Sequence, residues 1–376
     1  MKIAVITGTR AEFGIWMPVL YALAAAKQLK PTLIATGMHL QKQFGQTIKD
    51  VRASSPVPVM EVAMYKDGDT PAESLARGTA NLAAAYRKLK PDLVMVLGDR
   101  QEILAAANAA LACQIAIAHV HGGETAPGQW DEQIRHAVTK MAHVHFCATK
   151  KAGARLVQMG EDPKTVHVVG APALDVAALM QTMRAQPEFS PVLVLHPTSA
   201  DERAEYDRTR MLIAALRKTF PLKDAAKRLP TVGPNNDPGH RGILRAYREN
   251  ADFIELEMSV PQPIFWTALA TSRLLVGNSS AGIIEAATLG CAVINIGDRQ
   301  KGRERSPNVI DVPWQAKAIR AALRKVQTDR AFQARVAKRE NVYGDGRASD
   351  RIVKVLLKLA GKLPLPLTKS FHDLPG

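Results

Sequence analysis

Residues 93–119 read LVMVLGDRQEILAAANAALACQIAIAH, and this stretch decides the fold class. Leu93–Leu97 is an apolar run of strand length, Gln101–Ala112 has the length and spacing of a helix, and Ile115–His119 is a second apolar run. Two strands buried on both faces and joined by a helix form the βαβ unit of a parallel sheet. The stretch therefore predicts an α/β protein.

The same alternation extends toward the N-terminus. Ile3–Thr7 and Pro31–Ala35 are predicted strands, while Trp16–Ala26 and Leu75–Leu89 are predicted helices. Together with the βαβ unit at residues 93–119, these elements predict one doubly wound parallel sheet in the first half of the chain.

The pattern starts again after residues 184–188, a predicted linker. The sequence predicts two Rossmann-like domains, at 1–182 and 188–361, whose strand ends face one cleft. Predicted strands of the second half are Val192–Leu195, Leu274–Val276 and Ala292–Ile296.

The composition limits the choice of partners. Lys and Arg number 50 against 35 Asp and Glu, so 50 − 35 gives a formal charge of +15. Such a charge suits nucleic acid, but the basic residues are interleaved with acidic ones, and aromatic residues, at 5%, are too few for base stacking. We expect an anionic small substrate and no nucleic-acid partner.

The sequence also bears on location. No apolar run approaches the roughly 18 residues of a membrane helix, and Met1–Ile6 is too short for a secretory signal. The three cysteines form no CxxC pair, as expected in a reducing compartment. We expect a cytoplasmic protein with no membrane partner.

Acidic residues follow the predicted strands of the first half. Asp99 comes directly after Leu93–Leu97, Glu124 follows Ile115–His119, and Asp131 begins a predicted helix. Because the carboxyl ends of parallel strands lie at one edge of a sheet, these carboxylates are predicted to converge as proton donors and acceptors. Each also suits a helix cap or a salt bridge.

A glycine-flanked segment, Gly8–Gly14, follows the first predicted strand and is predicted to be a turn. Its Arg10 is a candidate to bind a phosphate. The segment is not GxGxxG, which weakens any dinucleotide interpretation.

The second half offers a complementary feature. Residues 274–290 predict a strand, a tight turn and a helix that ends near Gly290. Ser279 and Ser280 at the helix start would bind a diphosphate, and Glu285 would accept hydrogen bonds from ribose hydroxyls. His196 follows another strand at the same edge. A serine N-cap and a surface glutamate are the structural alternative.

A metal site of a hydrolase is a second interpretation of the first half. His119 and His121 fall on one face of a strand, and further potential ligands follow. Buried histidines with hydrogen-bond partners explain the same pattern. The further residues are Glu124, His136, His143 and His145.

Nine motifs resemble those of the UDP-N-acetylglucosamine 2-epimerases, specifically the hydrolysing branch that feeds sialic acid and legionaminic acid synthesis. They span nearly the whole chain in one order, which makes the resemblance specific. In order they are TGTRAEFG (7–14), TGMHL (36–40), GDR (98–100), HVHGGE (119–124), DEQIRHAVTK (131–140), MGEDP (159–163), GNSS (277–280), GDRQKGRER (297–305) and KSF (369–371).

Two positions favour the hydrolysing branch within that resemblance. Non-hydrolysing members have a proline where this chain has Ala11 and a lysine near Ile15, and they have HVEAG at residues 119–123. The resemblance implies a glycosyltransferase-B-type fold in which residues 362–376 cross back to the first domain.

The resemblance also implies a reaction. A base removes the C2 proton while UDP leaves C1, and water then adds to the 2-acetamidoglucal to give N-acetylmannosamine and UDP. The enzyme would thus be a glycosyl hydrolase acting on a nucleotide sugar, with no cofactor and no metal. Asp99, Glu124 and Asp131 resemble the family's acid and base residues. Those that resemble its UDP-sugar-binding residues are Arg10, Gly14, His196, Asn235, Asn278, Ser279, Ser280, Glu285 and Arg299.

Departures from the family pattern leave the sugar open. Gly233–Gly239 replaces the usual FPN segment, and Trp16 and Trp130 are unusual near the first-domain loops. They suggest a modified sugar, so the alternative substrate is UDP-linked or GDP-linked 2,4-diacetamido-2,4,6-trideoxyglucose. A glycosyltransferase-like nucleotide-sugar-binding protein is the further alternative, against which the three carboxylates argue. The resemblance also implies a homodimer or homotetramer.

Overall fold

The computed structural model describes residues 1–41, 45–125, 130–179, 189–221, 228–235 and 237–374. The chain forms two compact units. Unit 1 comprises Met1–Val176 and Tyr343–Gly376, and unit 2 comprises Ala177–Val342. The predicted linker at 184–188 and the predicted boundary at 182 lie outside the described residues.

Unit 1 is built on a seven-stranded parallel sheet. Its strands are β1 (Lys2–Thr7), β2 (Lys30–Ala35), β3 (Val59–Glu61), β4 (Leu93–Leu97), β5 (Ala116–Val120), β6 (Val144–Cys147) and β7 (Val166–Val168). Their order across the sheet is β3-β2-β1-β4-β5-β6-β7. The helices are α1 (Arg10–Ala25), α2 (Ile48–Ser54), α3 (Pro71–Leu89), α4 (Gln101–Ala112), α5 (Asp131–Met141), α6 (Lys150–Gln158) and α7 (Ala173–Ala177).

Unit 2 is built on a six-stranded parallel sheet. Its strands are β8 (Ser190–Val194), β9 (Leu229–Val232), β10 (Ile254–Glu257), β11 (Arg273–Gly277), β12 (Ala292–Ile296) and β13 (Val309–Val312), in the order β10-β9-β8-β11-β12-β13. The helices are α8 (Glu202–Thr219), α9 (His240–Glu249), α10 (Gln262–Ser272), α11 (Ser280–Ile284), α12 (Ala316–Thr328) and α13 (Arg330–Ala337). The last helix, α14 (Ala348–Ala360), belongs to unit 1.

The apolar strands separate two cores in unit 1. Ile3 and Val5 of β1 face one core and Ala4 and Ile6 face the other, because successive side chains of a strand point to opposite faces. A sheet covered by helices on both faces is what continuous apolar strands predict.

The C-terminal crossing begins earlier than the predicted residue 362. The backbone N–H of Ala171 donates to the carbonyl of Tyr343 at 2.7 Å, so the chain has already returned to unit 1 at that point. Ile352 and Leu356 of α14 are fully buried in the core that contains Leu20 of α1. This apolar face of α14 places the helix in unit 1 instead of the second domain.

In both sheets the strand order reverses at a central strand, β1 in unit 1 and β8 in unit 2. Ligands of open α/β sheets bind outside the carboxyl ends of the strands at such switch points. These two edges therefore position the candidate site residues. Within the described ranges, no helix is both long and apolar enough to cross a membrane.

Candidate active site

Asp99 follows β4 at the switch-point edge of unit 1 and forms an ion pair with Arg135 of α5. The Arg135 side chain is only 5% exposed, whereas that of Asp99 is 21% exposed. A guanidinium held in the protein beside a partly exposed carboxylate stabilises its ionised form. Arg135 thus fixes the Asp99 carboxylate at the carboxyl end of β4.

Glu124 follows β5, next to β4, and its Oε1 lies 2.5 Å from Nδ1 of His121. The turn between them requires its glycines, because Gly123 has φ +77° and a Cβ there would lie 2.3 Å from the carbonyl oxygen of Ala152. His121 itself has φ +63°. This strained turn directs the imidazole toward the carboxylate and holds the two groups in hydrogen-bond contact.

His119 supports this edge without facing a substrate. It is fully buried, with Nε2 2.8 Å from the carbonyl of Gly98 and Nδ1 3.1 Å from Oγ1 of Thr139. Burial lowers the pKa of His119 to about 3, so the ring is neutral. Since a carbonyl only accepts, Nε2 carries the proton and Thr139 donates to Nδ1. The ring therefore fixes the peptide preceding Asp99.

Asp131 is the first residue of α5, and the same helix carries Arg135. The structure thus brings α5 to the edge that holds Asp99 and Glu124. Residues 126–129, which connect Glu124 to Asp131, lie outside the described residues.

A further acidic pair, Glu12 and Glu102, lies beneath the β1–α1 connection and was not predicted from the sequence. Oε2 of Glu12 accepts a hydrogen bond from the N–H of Gly8 at 2.7 Å, and Nε of Arg100 lies 3.3 Å from Oε2 of Glu102. Burial, helped by the charge of Glu102, raises the pKa of Glu12 to about 8. Glu12 lies inside the TGTRAEFG motif, and Glu102 lies three residues after Asp99. Their positions in the sequence did not indicate that the two carboxyl groups would lie close together.

The β1–α1 connection differs from the prediction. α1 begins at Arg10, so Gly14 lies inside a helix and not in a turn. Oγ1 of Thr9 accepts a hydrogen bond from the N–H of Glu12 at 3.3 Å and so caps the helix. Arg10 is exposed at the start of α1.

The histidines proposed as metal ligands are engaged in other contacts. Besides the bonds of His119, Nε2 of His145 lies 2.9 Å from Oε2 of Glu161, and Nδ1 of His143 accepts from the N–H of Ile117 at 3.1 Å. Across the described ranges, no three His, Cys, Asp or Glu side chains form a group that could hold a metal ion.

Asn278 organises the corresponding edge of unit 2. Its Oδ1 accepts from the N–H of His196 at 2.8 Å, and its Nδ2 donates to the His196 carbonyl at 2.8 Å. Nη1 of Arg299 donates to the Asn278 carbonyl at 3.2 Å. The structure therefore brings the predicted residues after β8, β11 and β12 together.

His196 extends this network to Asn235. The N–H of Asn235 donates to Nδ1 of His196 at 3.1 Å, and its Nδ2 donates to Oδ2 of Asp237 at 2.5 Å. Burial, with the nearby charge of Arg299, lowers the pKa of His196 to about 4. The imidazole is thus neutral, and its Nε2 can donate to a ligand.

The helix predicted to end near Gly290 is shorter than expected. α11 spans only Ser280–Ile284, too short for a substantial helix dipole. The Oγ of Ser279 accepts from the N–H of Ala281 at 3.4 Å, which is the alternative N-cap role. A diphosphate here would depend on hydroxyl, N–H and guanidinium donors.

Glu285 lies directly after α11. Its Oε2 is buried and accepts no hydrogen bond from any group in the described part of the chain. Burial raises the pKa of Glu285 to about 7, although the nearby Arg303 opposes the rise. Because a buried acceptor without a donor is costly, this carboxylate is suited to hydroxyl donors from a ligand.

The two parallel-sheet α/β units define the class of protein, which is the glycosyltransferase-B-type fold. The crystal structure of a UDP-GlcNAc 2-epimerase from Neisseria meningitidis bound to UDP-GlcNAc matches with a TM-score of 0.80 at 20% identity, over 95% of this chain and 100% of that one. A Staphylococcus aureus structure described as an MnaA–UDP complex matches with a TM-score of 0.76 at 22% identity, over 99% of both chains.

Sequence comparison then gives the family. The family model described as UDP-N-acetylglucosamine 2-epimerase matches residues 21–357. A Legionella pneumophila protein named UDP-N,N'-diacetylbacillosamine 2-epimerase (hydrolyzing) is 34% identical, over 94% of this chain and 95% of the relative. A Neisseria meningitidis UDP-N-acetylglucosamine 2-epimerase is 30% identical over 89% of both. The chain belongs to the UDP-N-acetylglucosamine 2-epimerase family.

Proposed function

We propose that this protein is a hydrolysing 2-epimerase whose substrate is UDP-2,4-diacetamido-2,4,6-trideoxyglucose, which is UDP-N,N'-diacetylbacillosamine. The observation that carries the proposal is the 34% identity, along nearly the whole chain, to the Legionella pneumophila protein named for that reaction. A Campylobacter jejuni relative named GDP/UDP-N,N'-diacetylbacillosamine 2-epimerase (hydrolyzing), at 29% identity over 99% of the chain, gives further support.

The proposed reaction has two steps. A carboxylate removes the C2 proton as the C1–O bond breaks, and UDP leaves with the bonding electrons. Water then adds to the C1–C2 double bond, with hydroxyl to C1 and a proton to the opposite face of C2. The net products are UDP and 2,4-diacetamido-2,4,6-trideoxymannose. The C2 hydrogen is weakly acidic, so the step needs a positioned base and a stabilised leaving group.

Unit 1 would supply the proton transfers. Asp99, held by Arg135, and Glu124, in contact with His121, are suited to exchange protons at C2 and with water. Asp131 is the third proposed member, supported by its place at the start of α5.

Unit 2 would bind the UDP group. Glu285 would accept from the ribose hydroxyls, which would satisfy its buried Oε2. Arg299, with the hydroxyls of Ser279 and Ser280, would bind the diphosphate, and neutral His196 would donate a hydrogen bond to it as charge develops. Arg10 at the start of α1 is a further proposed phosphate ligand.

UDP-N-acetylglucosamine is the second candidate substrate. It is favoured by the 30% identity to the Neisseria meningitidis enzyme named for that sugar. The two sugars share the 2-acetamido group and the anomeric diphosphate, so the same carboxylates would serve both. They differ at C4 and C6, where contacts decide specificity.

The test is turnover of the two UDP-sugars side by side, with UDP release and the C2 configuration followed by NMR. We expect the diacetamido sugar to have a kcat/KM roughly tenfold higher or more. Faster turnover of UDP-N-acetylglucosamine would move the assignment to that sugar. Binding of both without UDP release in the absence of an acceptor would refute the epimerase proposal and favour a glycosyltransferase-like protein.

A further inference from the structure

The C-terminal segment Leu363–Leu374, here called the tail, docks on unit 1 at the end of α5. Nζ of Lys369 lies 3.0 Å from the carbonyl oxygen of Lys140 and 2.5 Å from that of Ala142, with the carbonyl of Thr139 at 3.4 Å. Carbonyls in the last turn of a helix carry partial negative charge, so the ammonium group caps α5.

A buried carboxylate fixes the same ammonium group from the other side. Glu161 is 1% exposed, and its carboxylate oxygens lie 2.6 Å from Nζ of Lys369, 2.7 Å from Nζ of Lys140 and 2.9 Å from Nε2 of His145. Burial acts to raise the pKa of Glu161, but these three partners outweigh it and lower the pKa to about 2. The Glu161 carboxylate is thus ionised at neutral pH and holds the tail through Lys369.

Contacts of the neighbouring tail residues keep Lys369 in position. The N–H of His372 donates to the carbonyl of Gly160 at 3.0 Å. The ring of Phe371 lies so close to Gly160 that a Cβ there would be 2.3 Å from it, and Nζ of Lys140 lies 5.1 Å from the ring centroid. The tail is therefore packed against unit 1 at several adjacent residues.

The other contacts of α5 reach the proposed catalytic edge. Arg135, in the middle of the helix, forms the ion pair with Asp99. Thr139, one turn later, holds His119, which in turn holds the carbonyl of Gly98. Both connections from α5 end at the dipeptide Gly98–Asp99.

We propose that Lys369 is a positioning residue for catalysis, through which the tail holds α5 so that Arg135 and Thr139 keep Asp99 in its reactive geometry. The role of Asp99 rests on the proposed function, whereas the mechanical link from tail to α5 does not. Small displacements of a reacting group cost up to about 100-fold in rate, so even a modest shift of α5 would be measurable.

The experiment compares Lys369→Met with Lys369→Arg and with Lys362→Met, a matched control because Lys362 is exposed near the start of the tail. We expect Lys369→Met to lower kcat roughly tenfold, with KM within about twofold and UDP affinity by calorimetry unchanged. Lys369→Arg restores most of the rate. Equal kcat in Lys369→Met and Lys362→Met would overturn the proposal.

Measuring the Lys369→Met effect in the Asp99→Asn protein distinguishes a positioning role of Lys369 from an effect on overall folding. If Lys369 acts through Asp99, adding Lys369→Met to Asp99→Asn leaves the residual rate almost unchanged, because the effects are not additive. If the second substitution lowers the rate by the same factor in both backgrounds, Lys369 acts through overall folding and the proposal is wrong.

Amide hydrogen exchange tests the link without any substrate. We expect exchange in residues 135–141 to be roughly tenfold faster in Lys369→Met than in the Lys362→Met control, with unit 2 unchanged. Identical exchange in the two variants would refute the link. Should the wild-type protein turn over neither UDP-sugar, the proposed function would fall while this measurement still decides whether the tail holds α5.

Discussion

Binding of the UDP-sugar should release a proton from Glu285, and replacing Glu285 with glutamine should abolish this release. With a pKa of about 7, the buried carboxyl is about 90% protonated at pH 6 in the free protein. Ribose hydroxyls donate more strongly to the ionised form, which accepts on both oxygens, so binding returns the pKa toward its ordinary value of 4.5. Binding at pH 6 should then release about 0.9 proton.

The sign of the pH dependence follows from this linkage. A ligand that prefers the ionised carboxylate binds more tightly as the pH rises toward 7 and gains little above it. Between pH 8 and pH 6 the affinity should fall about tenfold, equivalent to about 1.4 kcal/mol. His196 stays neutral over this range, since its pKa is about 4.

The assay is calorimetry of UDP-N-acetylglucosamine binding to the Asp99→Asn protein, in which turnover is suppressed. Paired buffers with different ionisation enthalpies give the number of protons released. Glu285→Gln in the same background should release about 0.9 proton fewer at pH 6 and lose the tenfold pH effect. Equal proton release in the two proteins would refute the placement of Glu285 at the ribose.

Three further predictions concern unit 1. Asp99→Asn should lower kcat by roughly 10²- to 10⁴-fold, measured by steady-state kinetics, while calorimetry shows the UDP affinity unchanged. A kcat near the wild-type value would refute this role. Gly123→Ala should destabilise unit 1 by about 2–3 kcal/mol, because its Cβ would meet the Ala152 carbonyl at 2.3 Å; an unchanged urea midpoint would contradict this. Glu12 has its pKa raised to about 8, so it favours folding at low pH and loses that contribution as the pH rises through 8. The unfolding free energy of the wild-type protein should therefore fall from pH 6 to pH 8 on the order of 2 kcal/mol more than that of Glu12→Gln. Urea unfolding at both pH values measures this, and an equal fall in the two proteins would contradict it.

The strands that place the site could be predicted from local pattern. β4, α4 and β12 have the predicted bounds, because apolar runs of strand length and a helical apolar spacing leave few alternatives. β5 is shifted by one residue relative to the prediction, which is the usual uncertainty at element ends. The residues at the carboxyl ends, Asp99 and Glu124, were therefore placed at the correct edge.

Contacts between distant segments could not be predicted in this way. Trp16 is unusual for the family and suggests a modified sugar, yet it is fully buried and its Nε1 donates to the carbonyl of Ile6 at 2.8 Å. The pairing of Asp99 with Arg135 joins residues 36 apart, and periodicity shows which face of a helix is apolar but not which strand end it meets. Such pairs follow from the three-dimensional packing alone.

The C-terminal segment illustrates the same limit. The KSF motif at 369–371 marked the tail as similar to the family, but the sequence did not indicate that Lys369 would reach Glu161, which is buried and 208 positions earlier. Likewise the predicted second domain, 188–361, includes the residues of α14, which the structure places in unit 1. The apolar face of α14, not its position in sequence, decides which core it joins.

The proposed elimination and hydration are tested most directly by NMR of the products formed from UDP-2,4-diacetamido-2,4,6-trideoxyglucose in deuterated water. Elimination and hydration predict free UDP and a 2,4-diacetamido-2,4,6-trideoxymannose that carries deuterium at C2. Hydrogen retained at C2 would contradict the elimination step, and a C2 epimer still attached to UDP would contradict hydrolysis.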